Sequence, residues 1–484
     1  MRRAVVVALC VAGSACVHAP PSINGVAPTP ATPSSLWTPP SSVTTAAARD
    51  TTHLVLSTAA VRQLTLPEVV DLALRNSPAT RLSWAQARAA ADAYGSTEGR
   101  LYPTLSAGLS VNRALSQATP GRPAIERSQY GPSLTLAYTV LDFGGRSGSI
   151  DVTRQTAIAL DLSHNATVEN TILGVEAAAF GYLSTRAQRD AQKSSVELAT
   201  AALDAANERH RVGLATIADV LQAQTARSQA ELQLETLEGA LQVARGSLAV
   251  AMGVPANSPF EIPDVPASDS VHFVAESVDS LIALAVRGRP ELASARAEAA
   301  ASASQIRVAR SGYLPALAIG ATGASNGSNV STFSGRTYSV NIGVQMPVFT
   351  GFSNQYEVAA AGEEYQAALA RAESTKQQII QQVFTAYYTL RTATNRVHTA
   401  SDLLASATQS ETVARERYRE GVGSIVDLLV AQSALANARA QSVDARWQWR
   451  TALAQLAHDV GVLNARGDTT FGPLTPLPDV KPSR

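Results

Sequence analysis

Leu72-Ala73-Leu74-Arg75-Asn76-Ser77-Pro78 returns later in the chain as Leu284-Ala285-Val286-Arg287-Gly288-Arg289-Pro290. Two further pairs follow in the same order. Leu101-Tyr102-Pro103-Thr104-Leu105 returns as Tyr313-Leu314-Pro315-Ala316-Leu317, and Gly213 with Asp219, Leu221, Ala223 and Gln224 returns as Gly421 with Asp427, Leu429, Ala431 and Gln432. The offset is 212 in the first part and 208 in the second. A period of that size is far too long for a solenoid. It marks duplication of a large unit, with copies over about 64–256 and about 277–464, a linker at 257–276 and a C-terminal tail at 465–484.

Proline placement says what each unit contains. No proline occurs from Ser133 to Val254 or from Val348 to Gly472, and both stretches are rich in Ala, Gln, Glu, Arg and Leu. Such stretches predict long helices. The unbroken pattern from Arg146 to His210 predicts one helix roughly 100 Å long at 1.5 Å per residue, which suits a coiled coil or a tunnel wall. Leu234, Leu237, Leu241, Ala244, Leu248 and Ala251 follow steps of three and four, as do Trp449, Leu453, Leu456 and Val460. These steps are the mark of helices packed at coiled-coil angles.

Before each long helix come two segments with period-two alternation. Strands are predicted at about 104–116 and 130–141 in the first unit, and about 316–325 and 336–349 in the second, with turn-rich loops at Ser116–Gln129 and Asn326–Arg336. Ten-residue segments that alternate apolar and polar fit the strands of a membrane barrel. Spanning barrels begin at about eight strands, and lipid does not tolerate an open sheet edge. Four strands cannot close one, so a membrane role requires several copies of the chain.

Overall, 484 residues with a formal net charge of 0 and 45% hydrophobic content offer neither a basic face for nucleic acid nor an acidic tail. The two cysteines, Cys10 and Cys16, lie at the very start and cannot form a disulfide framework or metal cluster. Arg2 and Arg3, the apolar run Ala4–Ala12 and the small residues Gly13, Ser14 and Ala15 read as a signal peptide over 1–15. Cys16 follows as in a bacterial lipoprotein signal, so either lipidation at Cys16 or ordinary cleavage near it is expected. Residues 16–63 carry seven prolines up to Pro40 and read as an extended arm or a disordered linker. The seven histidines are scattered without metal-ligand spacing, so neither a metal nor another cofactor is expected. Gly323-Ala324-Ser325-Asn326-Gly327 fits the nucleophile-elbow pattern formally, but that motif needs a strand before it and a helix after it. It reads as a loop, and the chain reads as no enzyme.

Leu64-Thr65-Leu66-Pro67-Glu68-Val69-Val70-Asp71-Leu72-Ala73-Leu74 with Asn76-Ser77-Pro78, and Leu141-Asp142-Phe143-Gly144-Gly145-Arg146 with its looser counterpart Phe349-Thr350-Gly351-Phe352, together resemble the TolC family of outer-membrane efflux proteins. The resemblance covers about residues 64–464. It implies a mainly α fold with a membrane β-barrel, each chain giving two repeats of long helices plus a β-hairpin. It also implies a homotrimer with a 12-stranded barrel and an α-helical tunnel across the periplasm, docked on a periplasmic adaptor coupled to an inner-membrane pump. The implied function is a passive conduit for efflux or type I secretion. The competing reading is an exported coiled-coil scaffold or adaptor without a pore.

On the same basis Val212, Gly213, Leu214 and Thr216 match the adaptor-contacting first tip, and Gly421 and Ser424 match the second less closely. Tyr418 matches a gating tyrosine, while Gly423 and Val430 stand where the family pattern has an Arg and a second constriction Asp. Two readings of Asp219 and Asp427 stay open together. They cap helices behind Thr216 and Ser424, or they form a charged ring in the entrance.

Overall fold

A computed structural model describes residues 64–117, 120, 124–263, 277–331 and 334–463. Cys16, the signal at 1–15, the arm at 16–63, most of the linker and the tail at 465–484 lie outside the described residues.

The first unit runs α1 (Leu66–Asn76), α2 (Pro78–Glu98), β1 (Thr104–Ser116), β2 (Ile125–Leu141), α3 (Gly145–Arg211) and α4 (Ile217–Ala251). The second repeats that order as α5 (Val278–Gly288), α6 (Pro290–Ser311), β3 (Ala316–Ser328), β4 (Gly335–Gln345), α7 (Ser353–Arg419) and α8 (Ile425–Val460). Both long helices, α3 and α7, have 67 residues. Each starts from a left-handed pair, Phe143 with Gly144 and Gly351 with Phe352. At the first of these the Asp142 carboxylate accepts from the Arg146 amide at 2.8 Å, which supplies the cap that Gly144 lacks.

The helices make a single layer with two halves. In one half the order of packing is α2–α3–α6–α7, and in the other α4–α3–α8–α7. Thus α3 and α7 run through both halves, while the other two positions are each filled by two helices meeting end to end. At the α4–α2 joint Asn76 Nδ2 donates to the Met252 carbonyl at 3.4 Å. A Cβ on Gly253, whose φ is +71°, would sit 2.7 Å from Asn76 Cβ, so only glycine fits there.

The α8–α6 joint is ionic. Arg289, at the N-cap of α6, donates to the His458 and Asp459 carbonyls at the end of α8 at 3.4 and 3.2 Å. Its other guanidinium nitrogens grip Glu291 at 2.9 Å each, and the Asp459 carboxylate accepts from His458 and Gln455 at 2.9 Å. The charge of Arg289 faces the negative end of α8, and Glu291 sits at the positive end of α6.

Short helices cover the joints. α5 packs Leu281 and Ala285 onto Val383, Leu390, Trp449 and Leu456, and this is a core of α5, α6, α7 and α8. Phe260 and Ile262, after α4, are buried, with Arg186 Nη1 donating to the Ile262 carbonyl at 2.5 Å. Further along, the layer is held by small residues. Ala202, Ala206 and Ala223 let α3, α4 and the α7–α8 pair approach closely around Leu203 and Leu428.

The four strands form one antiparallel sheet in the order β1-β2-β3-β4. Register shows its two faces. Leu105, Leu136, Ala321 and Val340 lie directly across from one another in one row, whereas the neighbouring row is Ser106, Thr135, Thr322 and Ser339. Paired residues share a face, so one face is apolar and the other small and polar. The apolar face is uncovered, with Leu109 80% and Tyr338 90% exposed.

Two strand ends differ from the sequence reading. β2 begins at Ile125 instead of about 130, because residues 125–129 pair with β1, Ile125 opposite Ser116; its ladder to β3 skips Gly131 and Pro132 and resumes at Ser133. A Cβ on Gly131 would lie 1.9 Å from the Ser325 carbonyl oxygen, so the glycine admits this close crossing. Gly323–Gly327, read as a loop, lies inside β3 and pairs with both neighbours. Ladder bonds on both sides outweigh the weak strand preference of Gly, Ser and Asn.

Candidate functional site: two helical tips and an open sheet

Each long helix ends in a tip of similar construction. After α3, Gly213 takes φ +77° and the amides of Gly213 and Leu214 donate to the carbonyls of His210 and Arg209 at 3.0 and 2.8 Å. After α7, Gly421 takes φ +79° and the amides of Gly421 and Val422 donate to the carbonyls of Tyr418 and Arg417 at 3.1 and 3.0 Å. These are left-handed helix stops that glycine makes at no steric cost. The next helix then starts from a reciprocal cap. Thr216 N donates to Asp219 Oδ2 at 2.8 Å while Asp219 N donates to Thr216 Oγ1 at 3.3 Å. Ser424 and Asp427 repeat it at 3.3 and 3.1 Å. Such a box stabilises a helix start by about 1 kcal/mol.

Both aspartates therefore cap helices, and both stand in the first turn beside a tip. Asp427 is exposed. Its carboxyl is held below the usual range, first by the Ser424 side chain and then by the Ser424 amide, so it is ionised at neutral pH. Val430 is exposed one turn further along, on the same groove between α7 and α8 as Asp427, Gly423 and Arg417. Val212 and Leu214 are exposed on the first tip, as are Ile217, Leu221, Val422 and Val426 nearby.

Tyr418 is elsewhere. It is buried, 4% exposed, among Leu203, Ala206, Ala223, Ile425 and Leu428. Burial pushes its hydroxyl pKa up, and that hydroxyl has no hydrogen-bond partner among the described residues. The structure thus separates Tyr418, inside the layer, from the exposed Asp427. It also reveals Arg209. The guanidinium lies 4.8 Å from the Tyr418 ring centroid, and Nη1 donates to the Tyr418 carbonyl. Arg209 therefore caps the C-terminal end of α7 from the other hairpin and ties the two tips together. Its only local signal is a basic residue in the last turn of α3.

At the opposite end of the long helices, where strands give way to helix, large apolar side chains stand exposed. Tyr102, Phe143, Phe349, Phe352 and Tyr356 are all more than half exposed. Aromatic residues clustered at the rim of an apolar sheet face are the pattern of a membrane–water boundary. Among the described residues no helix is long and apolar enough to cross a membrane.

An exposed apolar sheet face with an aromatic rim, standing on helices about 100 Å long, defines a class of barrel-and-tunnel channel proteins. The model of the family described as "Outer membrane efflux protein" matches residues 69–254 and 281–462, and the chain belongs to that family. It is 28% identical over 398 residues to Protein CyaE of Bordetella pertussis, covering 81% of this chain and 83% of that one. It is 23% identical over 415 residues to outer membrane protein TolC of Escherichia coli, covering 82% of each.

The fold is shared with solved structures. A membrane protein from Pseudomonas aeruginosa superposes with a TM-score of 0.75 at 22% identity, covering 82% of this chain and 92% of that one. The outer membrane protein VceC from Vibrio cholerae gives 0.74 at 18%, covering 82% and 96%. The chain is an outer-membrane channel for efflux or secretion and no enzyme; a scaffold without a pore is set aside.

Proposed function

We propose that three copies assemble the conduit, each lending four strands to one 12-stranded barrel and four helical positions to one tunnel. The sheet carries this reading. The outer edges of β1 and β4 have no partner among the described residues, and the apolar face is uncovered. Open edges are not tolerated in lipid, and joining β4 of one copy to β1 of the next removes every edge. The helical layer is open in the same sense. Leu82 and Trp84 of α2 and Leu232, Val243 and Val250 of α4 stand exposed on one border, and α7 forms the other. In this reading the repeats 64–256 and 277–464 each contribute one strand pair and one helical hairpin.

The tips, Val212, Gly213, Leu214 and Thr216 with Gly421 and Ser424, form the periplasmic entrance and meet the adaptor. Their exposed apolar side chains supply the contact. Asp219 and Asp427 bring six carboxylates around the entrance of a trimer, an arrangement that favours cations. Tyr418 supports the entrance from within the layer. The N-terminus is held to the outer membrane by lipid at Cys16, which needs more than one acyl chain for firm attachment.

The deciding experiment is the native mass of the detergent-extracted complex, run beside heated and unheated denaturing gels of isolated outer membranes. A trimer mass with a heat-sensitive band is the expected result. A monomer, or a soluble periplasmic species, defeats the proposal.

A further inference from the structure

A cleft of about 860 Å³ lies where α3, α7 and α8 come together, and no residue of α5 lines it. One wall is Phe180 of α3 with Trp447 of α8, ring centroids 6.0 Å apart, and the other is Phe384 with Tyr388 of α7, 4.7 Å apart. Along α7 between them run Thr385, Thr389 and Thr392, a stripe at i, i+4 and i+7. Elsewhere on α7, Thr375, Thr394 and Thr399 each donate to the carbonyl four residues back. The three cleft hydroxyls bond to none of the described residues. The polar end is self-neutralised. Arg396 Nη1 donates to Gln448 Oε1 at 2.6 Å, Gln448 Nε2 donates to Asp444 Oδ2 at 2.7 Å, and Arg396 lies 3.7 Å from the Asp444 carboxylate.

We propose that this cleft is a binding site for small amphipathic molecules that carry a planar aromatic ring. The volume falls within the range of small-molecule sites, which combine apolar walls with a few placed polar groups. Half-exposed Phe384 and Tyr388 gain burial when a ring covers them, while Phe180 is buried behind Trp447, whose ring already carries the Arg450 guanidinium at 5.2 Å. Unbonded hydroxyls can each donate and accept, so they suit hydroxyl, amine or carbonyl substituents on the ring edge. With Arg396 and Asp444 already paired, an ion is not what the site selects; the aromatic faces accept a neutral or a cationic ring. All of its lining residues come from α3, α7 and α8 of one chain.

The test uses the full chain in lipid nanodiscs with proflavine as the probe, read by fluorescence anisotropy against empty nanodiscs. Saturable binding at one site per chain is expected. Phe384→Ala with Tyr388→Ala should weaken it at least tenfold, and Ser184→Trp, which fills the cleft, should abolish it. If the double variant does not yield a heat-stable complex, Ser184→Trp alone decides. Binding that does not saturate, or that survives Ser184→Trp, overturns the proposal. A channel that conducts and binds no dye removes this site while leaving the conduit reading intact.

Discussion

Glu176 lies in the wall of α3 with 2% of its surface exposed, and burial raises its carboxyl pKa from 4.5 to about 7. The folded chain therefore holds a proton there that the unfolded chain releases above the ordinary carboxylate range. The sign follows from linkage. Below about pH 4.5 the group is neutral in both states and costs nothing. Between there and about pH 7 stability falls as pH rises, and above that the loss levels off at roughly 3 kcal/mol. Glu176→Gln should remove this slope and raise the melting temperature at pH 8 while leaving it unchanged at pH 4. Equal melting shifts at both pH values would count against a buried, neutral Glu176.

Among the helices, the joint between α8 and α6 sets a buried cation, Arg289, against Glu291 and Asp459. Burial works against the Glu291 carboxylate, yet its bonds to Arg289 hold its pKa below the ordinary value. Nearby Glu169 is raised, first by burial and then by the charge of Glu291. Arg289→Met leaves Asp459 and Glu291 without their cation, and breaking a buried pair in this way costs about 3 to 5 kcal/mol. The complex should melt well below the parent by calorimetry, while Asn76→Ala at the uncharged joint costs about 1 kcal/mol, a single hydrogen bond. Comparable losses from the two would remove the ionic account of the joint.

Nothing local announces this cluster, since Arg289 and Asp459 are 170 positions apart. What is local was legible. The proline-free runs and heptad steps marked the helices, and alternation marked four strands. The start of β2 was hidden because residues 125–129 lie in a turn-rich stretch, and only their pairing with β1, Ile125 opposite Ser116, makes them strand.

For the whole molecule, duplication and alternation in the sequence pointed to a barrel needing several chains, and the family match and the sheet agree with that class of fold. The caps formed by Thr216 with Asp219 and Ser424 with Asp427 were readable because a box spans only four residues. Arg209 was not, because its partner Tyr418 lies 209 residues away. If the aspartates also form an entrance ring, Asp219→Ala with Asp427→Ala should raise single-channel conductance in planar bilayers and reduce preference for cations. Unchanged conductance in an intact complex would leave capping as their whole role.

The two 67-residue helices carry a consequence of another kind, one of levelling. They are legs cut to one length beneath a single tabletop of strands, and their feet are tied by one arginine. Lengthening one leg by a turn lowers its foot about 5.4 Å and pulls the tie apart; lengthening both keeps the floor flat. Insertions and deletions in such rods can therefore be absorbed only in matched pairs, and the duplicated unit keeps its two halves in step along this one dimension while their side chains drift apart.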